Sequence, residues 1–574
     1  MSTTINDEPQ SLTPSRGLAA VLDWAASAHR RAAAMLVAFT LVAFLPGLFQ
    51  IPAVDRDEAR FAQATKQMLE TGDYVDIRFQ DEVRYKKPVG IYWMQALAVK
   101  AGGALGISDV RATIWLYRLP SLIGAIGAVL LTYWTALAFV ARRSALVAAL
   151  MMASSVLLGV EARLAKTDAM LLLTCLLAMG AMARIYLSIR RMPDKPIGWP
   201  MPALLWTALA VGVLLKGPII LMFVGLAAAT VSVLDRSGRW LWSLRPLVGF
   251  AWLILLVLPW FVAIVAKSGD SFFMEALGRD MLDKVTSGQE AHGAPPGYYL
   301  VLFFVTFWPG SVLAALAAPM VWRARREPGA QFLLAWLVPS WLVFEAVMTK
   351  LPHYVLPLYP ALAILIAGIV EKGALSQARW LVRGTVGWFL FPSLIAVGVV
   401  VVFVMFSRDL GLATWPFAAV AMILGLFAWR LYEVDGAERA LLRAMMASVF
   451  VAITVYGVAF PMLPMLFPSA LIADEVRSSG CKPPHVASTF AYQEPSLVFL
   501  AGTDTRFTDG TGAAEFLRQG SCHFALVDAR SERSFVQRAD ALGLRYTLVQ
   551  RIDGFNITIG KPVVMTVFRS VETP

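Results

Sequence analysis

Charge is what this chain has least of. Only 16% of its 574 residues are Asp, Glu, Lys or Arg and 58% are hydrophobic, whereas soluble domains carry about 25% charged residues. That balance excludes an ordinary soluble enzyme. Cysteine and histidine are also sparse, three and five residues, and no HExxH, CxxC pair, Walker-type loop or GxGxxG after a strand occurs, which argues against zinc clusters and nucleotide-driven chemistry. No internal repeat or low-complexity tract is visible, and the repeated halves common in transporters are therefore missing. The segment before Arg30-Arg31 is polar and lacks the short apolar run and small-residue cleavage site of a signal peptide; it is expected to stay on the cytosolic side.

Long apolar runs are abundant. They occupy 33–51, 119–140, 145–160, 169–187, 202–215, 219–234, 247–266, 298–321, 331–348, 355–370, 384–406, 414–429 and 444–461, which predicts about thirteen membrane helices from the roughly 20 residues a bilayer crossing needs. The pair 202–234 reads as a hairpin turning at Lys216-Gly217-Pro218, because basic clusters at both of its ends require the same side. With the N-terminus in the cytosol, the seven inside segments hold 20 Lys and Arg and the four short outside loops hold 5. The net charge of +11 thus sets orientation rather than marking nucleic-acid binding.

The chain divides into a cytoplasmic segment 1–32, a membrane domain 33–467 with long extracytoplasmic loops at 52–118 and 267–297, and a domain 468–574 on the same outer side. In the first loop, Phe61, Ala64, Thr65, Met68 and Leu69 fall at helical spacing with Arg60, Gln63, Lys66 and Gln67 opposite, as in a helix lying on the membrane surface. Phe272, Phe273, Ala276, Leu277 and Met281 repeat the pattern in the second. After Pro468, strands at Phe524–Val527, Tyr546–Val549 and Val563–Phe568 alternate with helical patterns at Ala513–Arg518 and Ser531–Leu542, predicting a small α/β unit. A Cys481–Cys522 disulfide is allowed there, while Cys175 reads as a core residue.

By this parity every outside loop presents polar residues at one membrane face. Asp57 and Glu58 follow the first span. Arg84, Lys86 and Lys87 precede the return helix. Glu161, Arg163 and Asp168, Lys216, His292, and Lys350, His353 and Tyr354 occupy later loops. Ionisable groups at span ends usually face a partner or a cavity. Sugar transfer from a glycosyl phosphate with inversion needs a carboxylate to take the acceptor's proton, and Asp57 is the candidate; a helix-capping acid is the bland alternative. Asp168, at the start of a span, could equally cap it, orient the base, or share a divalent cation. Cations such as Arg84 and Lys87 could stabilise a leaving phosphate or bind anionic lipid headgroups. Tyr354 could be an interfacial tyrosine and His292 a surface histidine.

VDRDEARFAQ, RYKKPVGIYW, EARLAKTDAML, LLKGPI, AHGAPPGYYL, KLPHYVLPLYPALAIL and GFNITIGKP together resemble the bacterial aminoarabinose transferases of lipid A, within the wider group of multispanning transferases that includes the protein O-mannosyltransferases. The resemblance runs through nearly the whole chain in order. It implies a polytopic α-helical GT-C fold with juxtamembrane helices on the periplasmic face and a small periplasmic C-terminal domain, in the bacterial inner membrane. It implies a sugar carried on undecaprenyl phosphate and transferred with inversion to lipid A or another envelope acceptor. It matches Asp57, with Glu58 and Arg60, to the family's acidic motif, Asp168 to the loop carboxylate before the fourth span, Lys87 to the lysine before the proline and Tyr354 to the tyrosine of the KLP-x-Y segment. On the reading of the residues themselves, Lys87, Arg84 and Tyr354 hold the donor phosphate, with Lys350 and His353 as further substrate contacts. Close relatives commonly carry an acid, then Lys-Pro-Pro, where this chain has Lys86-Lys87-Pro88-Val89. A protonated lysine has no lone pair for a metal, so a divalent ion stays an open expectation, as does the sugar. Transfer to protein or to another glycan, and a lipid-linked sugar flippase, are the competing functions.

Overall fold

The computed structural model describes residues 17–192, 196–269, 272 and 293–571. All thirteen apolar runs lie on helices, singly or as two helices in series. Helices α1 (Leu18–Ala26) and α2 (His29–Phe44) lead to the first loop, with α3 (Asp57–Thr71), a short hairpin of β1 (Arg78–Phe79) and β2 (Glu82–Val83), and α4 (Gly90–Ala104). The membrane domain continues through α5 (Ile114–Ala136), α6 (Arg142–Ser154), α7 (Val156–Glu161), α8 (Asp168–Arg191), α9 (Pro200–Lys216), α10 (Ile219–Leu234) and α11 (Pro246–Ser268). Then come α12 (Tyr298–Thr306), α13 (Gly310–Arg323), α14 (Pro328–Ala346), α15 (Tyr359–Glu371), α16 (Arg379–Thr385), α17 (Phe391–Phe406), α18 (Trp415–Arg430) and α19 (Tyr432–Ala452). Among the described residues, eight helical segments are long and apolar enough to cross a membrane; the protein is a multi-pass membrane protein.

Burial ranks these helices. The Asp168–Arg191 span is 78% buried inside the protein whereas Pro246–Ser268 is 28% buried, so α8 is the central post and α11 turns most of its apolar surface to lipid. α8 packs on α5 and α9. The 202–234 stretch is a hairpin of α9 and α10, turning at Gly217, whose φ of 71° suits glycine. The run 298–321 is two helices in series separated around Pro309, as expected where a proline removes a backbone donor. α5 starts several residues before its apolar run, which carries Arg118 inside the helix.

Past α19 the chain builds a five-stranded sheet in the order β4-β3-β5-β7-β6, from β3 (His485–Thr489), β4 (Arg506–Thr508), β5 (His523–Asp528), β6 (Tyr546–Asn556) and β7 (Lys561–Ser570). β3 pairs in parallel with β4 and β5, and β7 runs antiparallel to β5 and β6. Helices α20 (Pro468–Ser478), α21 (Pro495–Ala501), α22 (Gly510–Leu517) and α23 (Glu532–Ala541) complete the unit. Cys481 and Cys522 form a disulfide. Three strands match the sequence reading; β3 and β4, five and three residues long, escaped it.

The first-loop helix corrects one expectation. Phe61, Ala64, Thr65 and Met68 are buried, but so are Gln63 and Lys66 on the supposedly solvated side. That side docks on the C-terminal domain: Lys66 Nζ donates to Phe499 O at 2.8 Å, Gln63 Nε2 to Thr503 Oγ1 at 2.9 Å, and Gln80 Nε2 to Thr505 O at 2.6 Å. Phe272 is buried against Tyr85, Trp260 and Phe261; the rest of the second loop's helical pattern, and His292, lie outside the described residues.

Candidate functional site

Three acids at the entrance to α3 go three ways. Arg56 adopts a left-handed backbone, φ 65°, and this kink separates Asp55 from Asp57. Asp55 Oδ1 accepts from Ser496 N of the C-terminal domain at 2.9 Å, and burial beside Glu494 pushes its carboxyl up to about 7. Asp57 is the first residue of α3 and is exposed. Glu58 is buried, 2% exposed.

Glu58 has no oxygen left for substrate. Its Oε1 accepts from Arg118 Nε and Ala165 N, both at 2.8 Å, and its Oε2 from Arg118 Nη2 at 2.8 Å and Val54 N at 2.9 Å. Arg118 spends its remaining donors on Leu48 O, Ile51 O and Pro52 O at 2.7–2.9 Å. The pair therefore ties the end of the first span to α5 and to the loop before α8. Expected at the substrate, Glu58 is instead the frame beside it. The charge of Arg60 acts on Asp55.

Asp168 belongs to a buried ionic cluster. Asp168, at the start of α8, is ion-paired through Oδ1 with Lys216 and through Oδ2 with Lys166 at 3.6 Å. Lys166 Nζ also donates to Glu161 Oε1 at 3.1 Å. His353 sits between the acids, Nδ1 3.8 Å from Glu161 Oε1 and Nε2 3.8 Å from Asp168 Oδ1. Asp57 is near enough for its charge to act on Lys166, and Lys87 for its charge to act on His353. Tyr354 packs edge-on against His353, centroids 5.1 Å apart, with Lys216 Nζ 5.5 Å from its own ring centre. Residues from three loops, 161–168, 216–218 and 349–354, thus meet in the cluster, and charges from the first loop act on it.

Arg84 reaches the same region from beside it. It is 8% exposed, its guanidinium 5.1 Å over the Phe61 ring, and its charge and that of Asp57 both act on the buried Tyr92 hydroxyl. Lys350 does not join. Its ammonium donates to Phe344 O, Glu345 O and Val347 O at 2.6–2.9 Å, satisfying the carbonyls that the end of α14 leaves without amide partners. A substrate contact was expected of it; the bare helix end has claimed it. Arg163 is also structural, donating to Pro46 O at 2.8 Å and stacking on Tyr456 at 4.3 Å.

Glu161, Asp168 and His353 bring one potential ligand atom each within 4.8 Å of one another. The donors are a poor fit to a divalent ion as they stand. Asp168 Oδ1, Asp168 Oδ2 and Glu161 Oε1 each face an ammonium, and Glu161 Oε2 is the carboxylate oxygen of the cluster without a hydrogen bond. Arg118 and Lys166 were not singled out by sequence. Arg118 had a signal, being an arginine at the mouth of a span; Lys166 looked like one more outside lysine.

The comparisons agree with this architecture. The model of the dolichyl-phosphate-mannose-protein mannosyltransferases matches residues 34–270. An undecaprenyl phosphate-alpha-4-amino-4-deoxy-L-arabinose arabinosyl transferase of Erwinia tasmaniensis is 29% identical over 56% of this chain and 56% of its own, and the Yersinia pestis enzyme of that name is 27% identical over 70% and 71%. The chain thus spans a little over half the length of the first of these relatives. The crystal structure of ArnT from Cupriavidus metallidurans bound to undecaprenyl phosphate superposes with a TM-score of 0.73, at 19% identity, over 93% of this chain and 97% of that one. The fold is the one that this ArnT structure defines. Over part of its length the chain is similar in sequence to the aminoarabinose transferases and to the protein mannosyltransferases.

Proposed function

We propose that this protein is an inverting glycosyltransferase that takes a sugar from undecaprenyl phosphate, or a similar polyprenyl phosphate, to an envelope acceptor on the extracytoplasmic face of the inner membrane. Aminoarabinose or a related sugar is the proposed cargo and lipid A the proposed acceptor. The observation that supports this reading is the buried cluster of Asp168, Glu161, Lys166, Lys216 and His353, on which the charges of Asp57 and Lys87 both act. A carboxylate and a cation serving one substrate are the pairing that this displacement requires. The Asp57 carboxylate removes the acceptor hydroxyl's proton as its oxygen bonds to the anomeric carbon. The bond from that carbon to the carrier phosphate breaks on the opposite side, and the charge accumulating on the phosphate is stabilised by Lys87 and Arg84. Tyr354 lines the phosphate side. Asp168 and His353 hold the floor beneath.

Purified protein, given a polyprenyl-phosphate sugar and candidate acceptors in detergent, should form glycosylated product without a membrane gradient, and Asp57→Ala and Lys87→Ala should abolish it while still inserting in the membrane. Near-wild-type transfer by both variants would discard the assignment. Mass spectrometry of lipid A and other envelope glycans from a deletion strain should show one substituent lost, naming sugar and acceptor; transfer to a protein or a different glycan is the alternative that experiment would reveal.

A further inference from the structure

The least expected feature of the site is its charge balance. Two carboxylates, one imidazole and two lysines are packed together, each 9% exposed or less apart from Lys216, which is partly buried. The geometry of Glu161, Asp168 and His353 is what a divalent cation would use, yet positive charge is already supplied from both sides. Lys216 arrives from the end of α9 and Lys166 from the loop before α8.

We propose that Lys166 and Lys216 take the place of a divalent metal ion in this chain, acting as positioning residues that lock Asp168, Glu161 and His353 together. This rests on the transferase reading for its purpose, but not for its geometry. A metal needs oxygen or nitrogen lone pairs converging on one point. Three of the four carboxylate oxygens here converge on ammonium groups instead. Admitting an ion would leave it Glu161 Oε2 and one imidazole nitrogen, with two buried cations as neighbours. Taking Asp168 from Lys216 while the lysine stays in place would strand an ammonium whose side chain is 7% exposed, which is costly when the group has no partner. Two positive charges already neutralise the two carboxylates, so the cluster balances without a metal.

The full-length protein purified in detergent provides the test. It is equilibrated with Zn²⁺ or Mn²⁺, passed through gel filtration and analysed for bound metal, and in parallel its transfer activity is measured after dialysis against EDTA. The wild type should retain no stoichiometric metal and should lose no activity to the chelator. Lys166→Met/Lys216→Met should gain metal affinity by roughly tenfold or more, and Glu161→Gln added to that background should remove the gain. Retention of about one equivalent of metal by the wild type, removable by EDTA and lost in Glu161→Gln, overturns the proposal, as does a folded double variant with no gain. If the double variant does not fold, the wild-type metal content decides alone. That measurement needs no sugar transfer, so an inactive preparation would count against the transferase reading and leave this one standing.

Discussion

Adjacent acids with opposite fates permit a test that separates chemistry from scaffold. Asp57→Asn keeps the shape of an exposed residue in the first turn of α3. What stability it loses is the interaction of one carboxylate with the helix dipole, about 0.3–1 kcal/mol. As the proposed general base, it should lose about a hundred- to ten-thousandfold in turnover, or about 3–5 kcal/mol of barrier. Glu58→Gln inverts the pattern. Each Glu58 oxygen accepts two hydrogen bonds, and the amide NH₂ of glutamine would set a donor against two donors on one side. Arg118, 1% exposed, would keep its three carbonyl partners but lose its counter-charge. Removing one member of a buried pair costs about 3–5 kcal/mol. Thermal unfolding in detergent followed by intrinsic fluorescence, beside single-turnover transfer, reads both effects. Asp57→Asn should unfold within a degree or two of wild type and be nearly inert, whereas Glu58→Gln should unfold markedly earlier. An Asp57→Asn protein keeping more than about a tenth of wild-type turnover, or a Glu58→Gln protein as stable as wild type, would refute the division of labour.

Lys87→Ala should lower kcat/KM for the polyprenyl-phosphate donor by about a hundredfold or more, whereas Lys350→Ala, which removes three bonds to the end of α14, should lower the unfolding temperature and leave donor affinity unchanged; the reverse pattern in donor titrations would exchange their roles. Asp55 has a folded-state carboxyl near 7, above its unfolded value of 3.8, so the folded state holds the extra proton between those values and stability falls as pH rises from about 4 to about 7. Asp55→Asn should flatten that slope in proteolysis of the C-terminal domain across this window, and an unchanged slope would place the titrating group elsewhere. The Cys481–Cys522 bridge closes a separation of 41 residues, worth roughly 4 kcal/mol on the chain-entropy estimate; reduction or Cys481→Ser/Cys522→Ser should make the C-terminal domain the first part of the molecule to be cut by protease, and equal resistance would contradict that figure.

The membrane fold was legible because its signal is long and redundant. A span such as α8 announces itself over more than twenty residues, and even the ambiguous 202–234 stretch was settled by basic residues at both ends. The failures were at short range. β3 and β4 offer five and three residues, too few for alternation to be read, and β3, buried at four successive positions, does not alternate at all. The hydrophilic face of α3 illustrates another limit. Gln63 and Lys66 look solvated by periodicity, and nothing local reveals that a domain more than four hundred residues later supplies Phe499 O and Thr503 Oγ1 as their partners.

The site was legible in membership and illegible in role, for a physical reason. Exclusion from the bilayer gathers ionisable residues into the loops, and that much follows from hydropathy alone. Which of them meets the substrate depends on which are already satisfied by one another, and satisfaction is a property of three-dimensional pairing. Glu58 and Asp57 are neighbours of one chemical type, yet four donors close on one and the other stays open. Lys350 and Lys87 are both lysines near a proline, yet the first is held by the carbonyls at a helix end, while the second donates to Lys86 O at 2.8 Å and its charge acts on His353. Asp168 shows how far this reasoning reaches: its sequence position allowed a cap, an orienting acid or a metal ligand, and the two lysines found against it favour the orienting role. A carboxylate held by two ammoniums is a fixed strut, and a fixed strut is what the proposed base needs nearby if an acceptor hydroxyl is to meet it in a repeatable position.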